Sequence, residues 1–159
     1  MIRALLKGAL AGAAGTTALN ATTYLDMAVR ARPASETPQQ AVDELANRSG
    51  LPVPGGGEDK QNRLAGLGLL TGIATGVGVG MVSGMLAPAL RRLPPPFVAL
   101  LVGGAAMAAA NVPMKQLGVS DPATWSPPDW ASDAVPHLAY GAITCTALRL
   151  MTPGHAPAA

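Results

Sequence analysis

Charged and aromatic residues are scarce in this sequence. Charged residues make up 13% of the 159 residues and aromatic residues 3%, whereas about 25% of the residues in soluble domains are charged. A water-soluble core without aromatic side chains would depend on Ala, Gly, Val and Leu, which pack well between membrane helices but provide little bulk. The composition therefore predicts an integral membrane protein, with the lipid bilayer as its surroundings.

Cysteine is also scarce, and the sequence shows no catalytic motif. Cys145 is the only cysteine, which excludes an intramolecular disulfide and a cysteine-rich metal site. It lies in an apolar run, as buried unreactive thiols do. With His155 in a Pro/Ala tail, one histidine remains, too few for a zinc centre. The sequence contains no Ser/His/Asp arrangement, paired carboxylates or phosphate-binding loop, so we predict no cofactor, no metal and no enzymatic activity.

The longest uncharged run extends from Leu64 to Leu90 and contains a regular glycine pattern. Its 27 residues exceed the length that an apolar helix needs to cross a bilayer, about 20 residues. Glycine costs roughly 1 kcal/mol relative to alanine in a water-exposed helix, whereas small residues four apart let membrane helices approach closely. Successive glycines rotate by about 40° around the helix, so we expect different neighbours at the two ends. This glycine ladder comprises Gly68, Gly72, Gly76, Gly80 and Gly84.

We interpret this run as one of four membrane spans, which cover residues 5–29, 64–90, 97–114 and 134–151. Between and after them lie a polar loop, an interfacial loop and a disordered tail, at 30–63, 115–133 and 152–159. The predicted fold is all-α. It is a single membrane domain, 1–159, with a four-helix bundle and short amphipathic or interfacial helices in the loops on one side.

The first span has a face of small and polar residues. Gly8 and Gly12 share this face, so we predict that they pack against the glycine ladder. A cleaved signal peptide is the alternative for the N-terminus, because Arg3 and Lys7 precede an apolar run. We disfavour it, because polar residues up to Asp26 continue the helical pattern past any cleavage point.

The loops contain helix-start signals and both tryptophans. Residues 37–40 read as a capping box with proline at the first helical position, and Gly50 is placed to end that helix. Residues 126–129 form a second, Ser-x-x-Asp box. Trp125 and Trp130 fall in the interfacial loop, where indole rings anchor membrane proteins at headgroup level.

Polar side chains near the span ends are predicted to meet at one mouth of the bundle. One interpretation is a set of hydrogen bonds that fix the bundle. The other is a small-ligand or proton site in which His137 titrates with Asp133 or Asp26 as its partner. The predicted cluster comprises Asn20, Asp26, Asn111, Lys115, Asp133, His137 and Tyr140.

The distribution of basic residues sets the expected orientation. With four spans, both termini share a side with the turn at Arg91 and Arg92, and this side carries five basic residues and no acid. The other side carries six basic residues and all nine acids, so the Lys and Arg count of the positive-inside rule is nearly tied. We favour cytoplasmic termini because the segments on that side are short and purely basic. The excess of Arg over Lys and the abundance of Ala, Gly and Pro suggest a GC-rich bacterial genome and hence a bacterial cytoplasmic membrane. The net charge of +2 does not suggest nucleic acid as a partner.

Two stretches, 8–26 and 124–141, resemble a family of small actinobacterial integral membrane proteins of no known activity. In the second, the resemblance lies in Trp125, Trp130, Asp133, Pro136, His137 and Gly141. It extends over most of the chain and implies four spans, but no ligand residues. We expect a structural or accessory membrane protein that assembles with itself or with membrane partners. The alternative is an oligomeric transporter, channel or small-ligand carrier that uses the polar mouth.

Overall fold

The computed structural model describes residues 1–151, which form six α-helices and one 3₁₀ turn without any strand. The all-helical part of the prediction is confirmed. The predicted tail, 152–159, lies outside the described residues. The 3₁₀ turn is Pro122–Thr124. The helices are α1 (Ile2–Arg30), α2 (Thr37–Arg48), α3 (Gly57–Met85), α4 (Ala87–Leu90), α5 (Pro95–Gln116) and α6 (Pro127–Met151).

The four long helices, α1, α3, α5 and α6, pack side by side, and α1 lies between α3 and α6. Helix α1 contacts α3 and α6 along its length, α6 also packs on α5, and a less extensive contact between α3 and α5 closes the arrangement. The short helix α2 lies on α3 and touches α5. Arg48 at its end donates to the carbonyl oxygen of Leu117, 2.9 Å away, beyond the last turn of α5. Helix α2 therefore covers one end of the helix array.

The observed bounds of α3 differ from the predicted span at both ends. The helix begins at Gly57, seven residues before Leu64, because hydropathy marks only the apolar part of a helix. Glu58 and Asp59 in its first turn suit the positive end of the helix dipole. It ends at Met85, and residues 87–90 form the separate helix α4, because Pro88 cannot donate a helical hydrogen bond and its ring would clash with the preceding turn.

Two of the helices, α3 and α5, are long and apolar enough to cross a membrane. Only 17% and 22% of their most apolar windows are buried inside the protein, unlike the core helices of a soluble domain. This gives coarse support to a membrane location. Helices α1 and α6 are as long but less apolar, because small and hydroxyl-bearing residues replace the large apolar ones on their packed faces.

Small and polar residues fill much of the interior, beside a core that includes Val98 and Val102, while most large apolar residues lie outside. Thr16, Thr144 and Tyr140 are at most 8% exposed. Leu69, by contrast, is 65% exposed, and many other large apolar side chains are more than 40% exposed. Soluble proteins rarely leave such extensive apolar surface in water. The buried glycines of the long helices are Gly8, Gly12, Gly15, Gly68, Gly76, Gly80, Gly84, Gly103 and Gly141.

The helix-start signals have mixed outcomes. Ser126 and Asp129 form the predicted box, in which the Ser126 N–H donates to Asp129 Oδ2 at 3.0 Å and the Asp129 N–H to Ser126 Oγ at 3.4 Å. The box predicted at 37–40 is wrong. Thr37 already lies inside α2, and Glu36, which takes the N-cap position with a helical backbone, makes no capping hydrogen bond with its side chain. The Thr37 N–H donates instead to Ser35 Oγ at 3.3 Å. Gly50 does follow α2 in the left-handed region, with φ 72°.

Candidate functional site

Helices α1 and α3 come into backbone contact through glycines. A Cβ built on Gly12 would lie 2.6 Å from the Gly76 carbonyl oxygen, and one built on Gly80 would lie 2.7 Å from the Gly12 nitrogen. The position of a Gly84 Cβ overlaps the backbone of Ala4 and Gly8. No side chain larger than hydrogen fits at these positions without separating the helices. Gly8 and Gly12 thus face the C-terminal half of the ladder.

The N-terminal half of the ladder behaves differently. A Cβ on Gly68 would lie 3.2 Å from backbone atoms of Pro38 and Gln39 in α2, so Gly68 accommodates the covering helix. Nothing within residues 1–151 comes within 4 Å of a Cβ on Gly72. Gly72 therefore packs against no neighbouring helix among the described residues. The physical reason is the rotation of the ladder, which turns its successive positions away from α1.

Helix α6 makes two further glycine contacts that the sequence reasoning missed. A Cβ on Gly103 of α5 would lie 2.6 Å from the His137 carbonyl oxygen, and Gly141 fits against the backbone of Ala99 and Gly103. Gly15 of α1 accommodates the ring of Tyr140 and the hydroxyl of Thr144. Each is a single close contact without a repeat at a fixed spacing. Periodicity alone therefore could not identify them.

Tyr140 lies at the centre of the helix array rather than in the predicted polar cluster. Its side chain is 0% exposed, and its hydroxyl donates to the Gly76 carbonyl oxygen at 2.6 Å. Thr144, one turn along α6, donates to the Ala11 carbonyl oxygen at 3.4 Å. The missing side chains of Gly15 and Gly76 leave room for the phenol ring. Tyr140 therefore joins α6 to α3 and is wrongly assigned to the mouth.

Asn111, Asp133 and His137 form a connected polar group where α5 ends and α6 begins. The Asn111 amide donates to Asp133 Oδ2 at 2.7 Å. His137 Nδ1 lies 2.7 Å from the Asp133 carbonyl oxygen and 3.6 Å from Asp133 Oδ1. Since both neighbours of Nδ1 are acceptors, we assign the imidazole proton to Nδ1. Asn111 and His137 are each only 9% exposed. We refer to these three residues as the polar triad.

Asp26 forms a second group beside the triad. Its carboxylate pairs with Arg30 at 3.1 Å and with Arg32. Ser132 of α6, the residue before Asp133, accepts a hydrogen bond from Arg30 at 2.9 Å and reaches Asp26 at 3.5 Å. The end of α1 is thereby attached to the start of α6. Arg30, Arg32 and Ser132 were not among the predicted cluster residues, because their spacing on the sequence gives no sign of this contact.

The other two residues of the predicted polar cluster, Lys115 and Asn20, form no hydrogen bond or ion pair with the triad. Lys115 pairs with Asp121 at 3.0 Å in the loop that follows α5. The backbone N–H of Ala123 and the Lys115 ammonium lower the pKa of Asp121. Asn20 is half-buried and its side chain has no hydrogen-bond partner within residues 1–151. Lys115 and Tyr140 therefore make their polar contacts outside the triad, and Asn20 forms no hydrogen bond with it.

The two tryptophans contact each other in the loop between α5 and α6. Their ring centroids are 5.2 Å apart with an interplanar angle of 67°, an edge-to-face arrangement. The Trp125 indole N–H donates to Ser120 Oγ at 3.1 Å, and Trp130 remains 43% exposed. The pair lies at the same end of the protein as the triad, because Trp130 is in the first turn of α6.

The triad leaves one imidazole nitrogen without a hydrogen-bond partner within residues 1–151. No group of three His, Cys, Asp or Glu side chains within the described 151 residues could hold a metal ion. Cys145 is buried, with its sulfur 3.8 Å from the Pro95 carbonyl oxygen. His137 Nε2 has no hydrogen-bond partner among these residues and is the atom on which an additional proton could be bound.

No protein-family model, curated protein or solved structure matches this chain. Arguments about its function therefore start from its own residues and contacts.

Proposed function

We propose that this chain is a bacterial multi-pass membrane protein with a structural or accessory role, in which α1, α3, α5 and part of α6 each cross the cytoplasmic membrane. The observation that carries the proposal is the distribution of side chains. Glycine, alanine, threonine and tyrosine pack the interior together with a few larger apolar residues such as Val98 and Val102, whereas most leucine and isoleucine side chains lie outside. Lipid tails stabilise such an exterior, and small interior residues allow the close helix contacts that membrane bundles use.

The positions of the charged residues support the proposal that α1 and α6, the two less apolar helices, also cross the membrane. In α1, the 18 residues from Gly8 to Leu25 carry no charge and are about 27 Å long as a helix, close to the hydrocarbon thickness of about 30 Å. In α6, Arg149 donates to the Leu93 carbonyl oxygen near one end, while Asp133 lies at the other. We take the membrane part of α6 as 134–151. The charged residues thus fall at the two ends.

The interior packing supports a structural role over a channel within one chain. Tyr140 fills the space between α1, α3 and α6, and its hydroxyl is satisfied by the Gly76 carbonyl oxygen. We propose that the bundle acts through assembly, with a second copy or with membrane-complex partners. Its basic end, with the termini, faces the cytoplasm. We also propose membership of the actinobacterial family that the sequence resembles.

The polar triad favours a second candidate function, an oligomeric transporter or small-ligand carrier. Buried ionisable groups near a membrane span are costly unless they have partners or a role. Asp133 has two partners, while one nitrogen of His137 remains open to a ligand or proton. If His137→Ala removes a pH-dependent uptake by vesicles, the carrier is correct. If it only lowers the melting temperature, the structural role is favoured.

Cysteine labelling tests the four spans. In a Cys145→Ser background, Ser49→Cys and Ala89→Cys place single thiols at exposed positions and Ser120→Cys places one at a half-buried position. All three lie outside α1, α3, α5 and the proposed membrane part of α6. We expect a membrane-impermeant maleimide on intact cells to label Ser49→Cys and Ser120→Cys together, and to label Ala89→Cys only after lysis. Labelling of all three in intact cells, or recovery of the protein in the soluble fraction, would contradict the proposal.

The mass of the full chain in nanodiscs distinguishes the modes of assembly. A homo-oligomer supports self-assembly and leaves the carrier open, whereas a strict monomer eliminates an oligomeric pore. Cross-linking and pull-down from native membranes then tests for a partner. A monomer that cross-links to no membrane protein would overturn the accessory role.

A further inference from the structure

An apolar groove of about 470 Å³ lies between α3 and α5, where these two helices diverge. Helix α3 lines it with Thr75, Val79 and Val82, and α5 lines it with Leu101 and Ala105. Its only hydroxyl-bearing side chains present no free polar group. Thr75 Oγ1 donates to the Thr71 carbonyl oxygen and Ser83 Oγ to that of Val79, both at 2.8 Å. The groove therefore suits a purely hydrocarbon occupant.

The length of the groove indicates an acyl chain rather than another helix. Along α3 its lining extends from Thr75 to Leu86, a rise of about 16 Å at 1.5 Å per residue. This matches one leaflet, half of the hydrocarbon thickness of about 30 Å. A transmembrane helix from a second chain would need a groove along the whole span. The lining stops midway along α3 instead.

The groove ends beside unpaired basic residues. Leu90, its last lining residue, is followed in the sequence by Arg91 and Arg92, which are both exposed. Arg91 also lines a small neighbouring cavity with Val98 and Arg149. Neither guanidinium forms an ion pair or side-chain hydrogen bond within residues 1–151. No acidic residue of the described 1–151 lies at this end of the bundle. Guanidinium groups pair well with phosphate, and anionic headgroups attract basic segments at the membrane surface.

We propose that this groove binds one acyl chain of an anionic phospholipid from the basic-end leaflet, with the phosphate held by Arg91 and Arg92. The inference rests on the proposed membrane location. It adds an anionic phospholipid bound in the groove between α3 and α5. The apolar groove selects for hydrocarbon, and the arginines select for a negative headgroup.

Native mass spectrometry of the full chain in detergent tests this proposal, with phosphatidylglycerol and phosphatidylcholine as probes. We expect phosphatidylglycerol to be retained preferentially. Since each surface arginine contributes about fivefold to binding an anionic membrane lipid, Arg91→Gln/Arg92→Gln should weaken retention about 25-fold. Arg3→Gln removes a basic residue outside the groove and serves as the matched control, with little change. Ala105→Phe should reduce retention of both lipids by filling the groove.

Three results would overturn the lipid site. They are equal retention of the two lipids, an unchanged preference in the double arginine variant, and a dimer joined through Ala105→Cys in the Cys145→Ser background that excludes lipid. If Ala105→Phe fails to fold, the surface arginine variants still decide the matter. Membrane fractionation of the same preparations separates the two proposals. A membrane-extracted protein without lipid preference refutes only the site, whereas a soluble protein refutes the membrane location.

Discussion

The contact between α1 and α3 makes a sharp prediction at Gly80. Gly80→Ala adds one methyl group at a position where a Cβ would lie 2.7 Å from the Gly12 nitrogen and closer still to two other backbone atoms of α1. Backbone atoms cannot rotate away as a flexible side chain can. Helices α1 and α3 must therefore separate locally in the variant, or the α3 helix must distort.

The size of the effect follows from the required displacement. Carbon atoms pack at about 3.5–4.0 Å, so the helices must move apart by about 1 Å. A gap of that size loses a quarter to a half of each contact energy along the interface. Overpacked sites typically cost about 1–3 kcal/mol. Alanine improves helix propensity by at most about 1 kcal/mol. We expect a net loss of about 1–2 kcal/mol of unfolding free energy.

Gly72→Ala is the matched control, because it adds the same methyl group to the same helix where nothing lies within 4 Å. It should be neutral or slightly stabilising. Unfolding by titration with a denaturing detergent, followed by circular dichroism, measures both variants against the natural chain. If Gly80→Ala proves as stable as Gly72→Ala, the close approach of α1 and α3 is incorrect.

Three further predictions concern polar groups. Tyr140→Phe leaves the Gly76 carbonyl oxygen without its donor, and detergent unfolding should show a loss of about 0.6–1.7 kcal/mol; no change would contradict that bond. The Ser126 hydroxyl and N–H hold the pKa of Asp129 below its ordinary value of 3.8. The carboxylate therefore stabilises the fold above about pH 4, and this stabilisation is lost as pH falls further. Ser126→Ala should weaken that acid dependence in thermal melts at pH 3 and pH 7. His137→Ala should lower the melting temperature in detergent by a few degrees, and an unchanged value would show that the triad does not stabilise the fold.

Residue spacing predicts the long helices well because hydropathy and glycine periodicity act within one element. The packing of Gly8 and Gly12 against the C-terminal half of the glycine ladder follows from the small residues on one face of each helix. Contacts between elements are harder to predict. Tyr140 and His137 are three residues apart on α6. The Tyr140 hydroxyl nevertheless reaches α3, whereas the His137 ring contacts Asp133 of its own helix. Which neighbour each contacts depends on the packing order of the helices.

Helix ends are the other limit of prediction from sequence. The polar residues before Leu64 continue α3, because helical hydrogen bonding does not depend on hydropathy. Pro88 interrupts the predicted run at 64–90, whereas Pro113 and Pro136 are accommodated inside α5 and α6. Pro113 lies near the end of α5, whereas Pro136 lies nine residues after Pro127 in the interior of α6, and each removes one helical hydrogen bond. The effect of a proline on a helix therefore depends on how the neighbouring helices pack against the chain at that position.

The position of α1 between α3 and α6 sets the order in which the fold can be completed during synthesis. Helix α1 is translated first, yet one of its two main neighbours is the last helix of the described chain. The Lys7 ammonium donates to the Met151 carbonyl oxygen at 2.6 Å. This contact between the start of α1 and the end of α6 can form only after Met151 has been added to the chain. At about 5–20 residues per second, the residues between Arg30 and Met151 take roughly 6–24 s to add. Throughout that time the Ala11 and Gly15 face of α1 lacks its α6 contact.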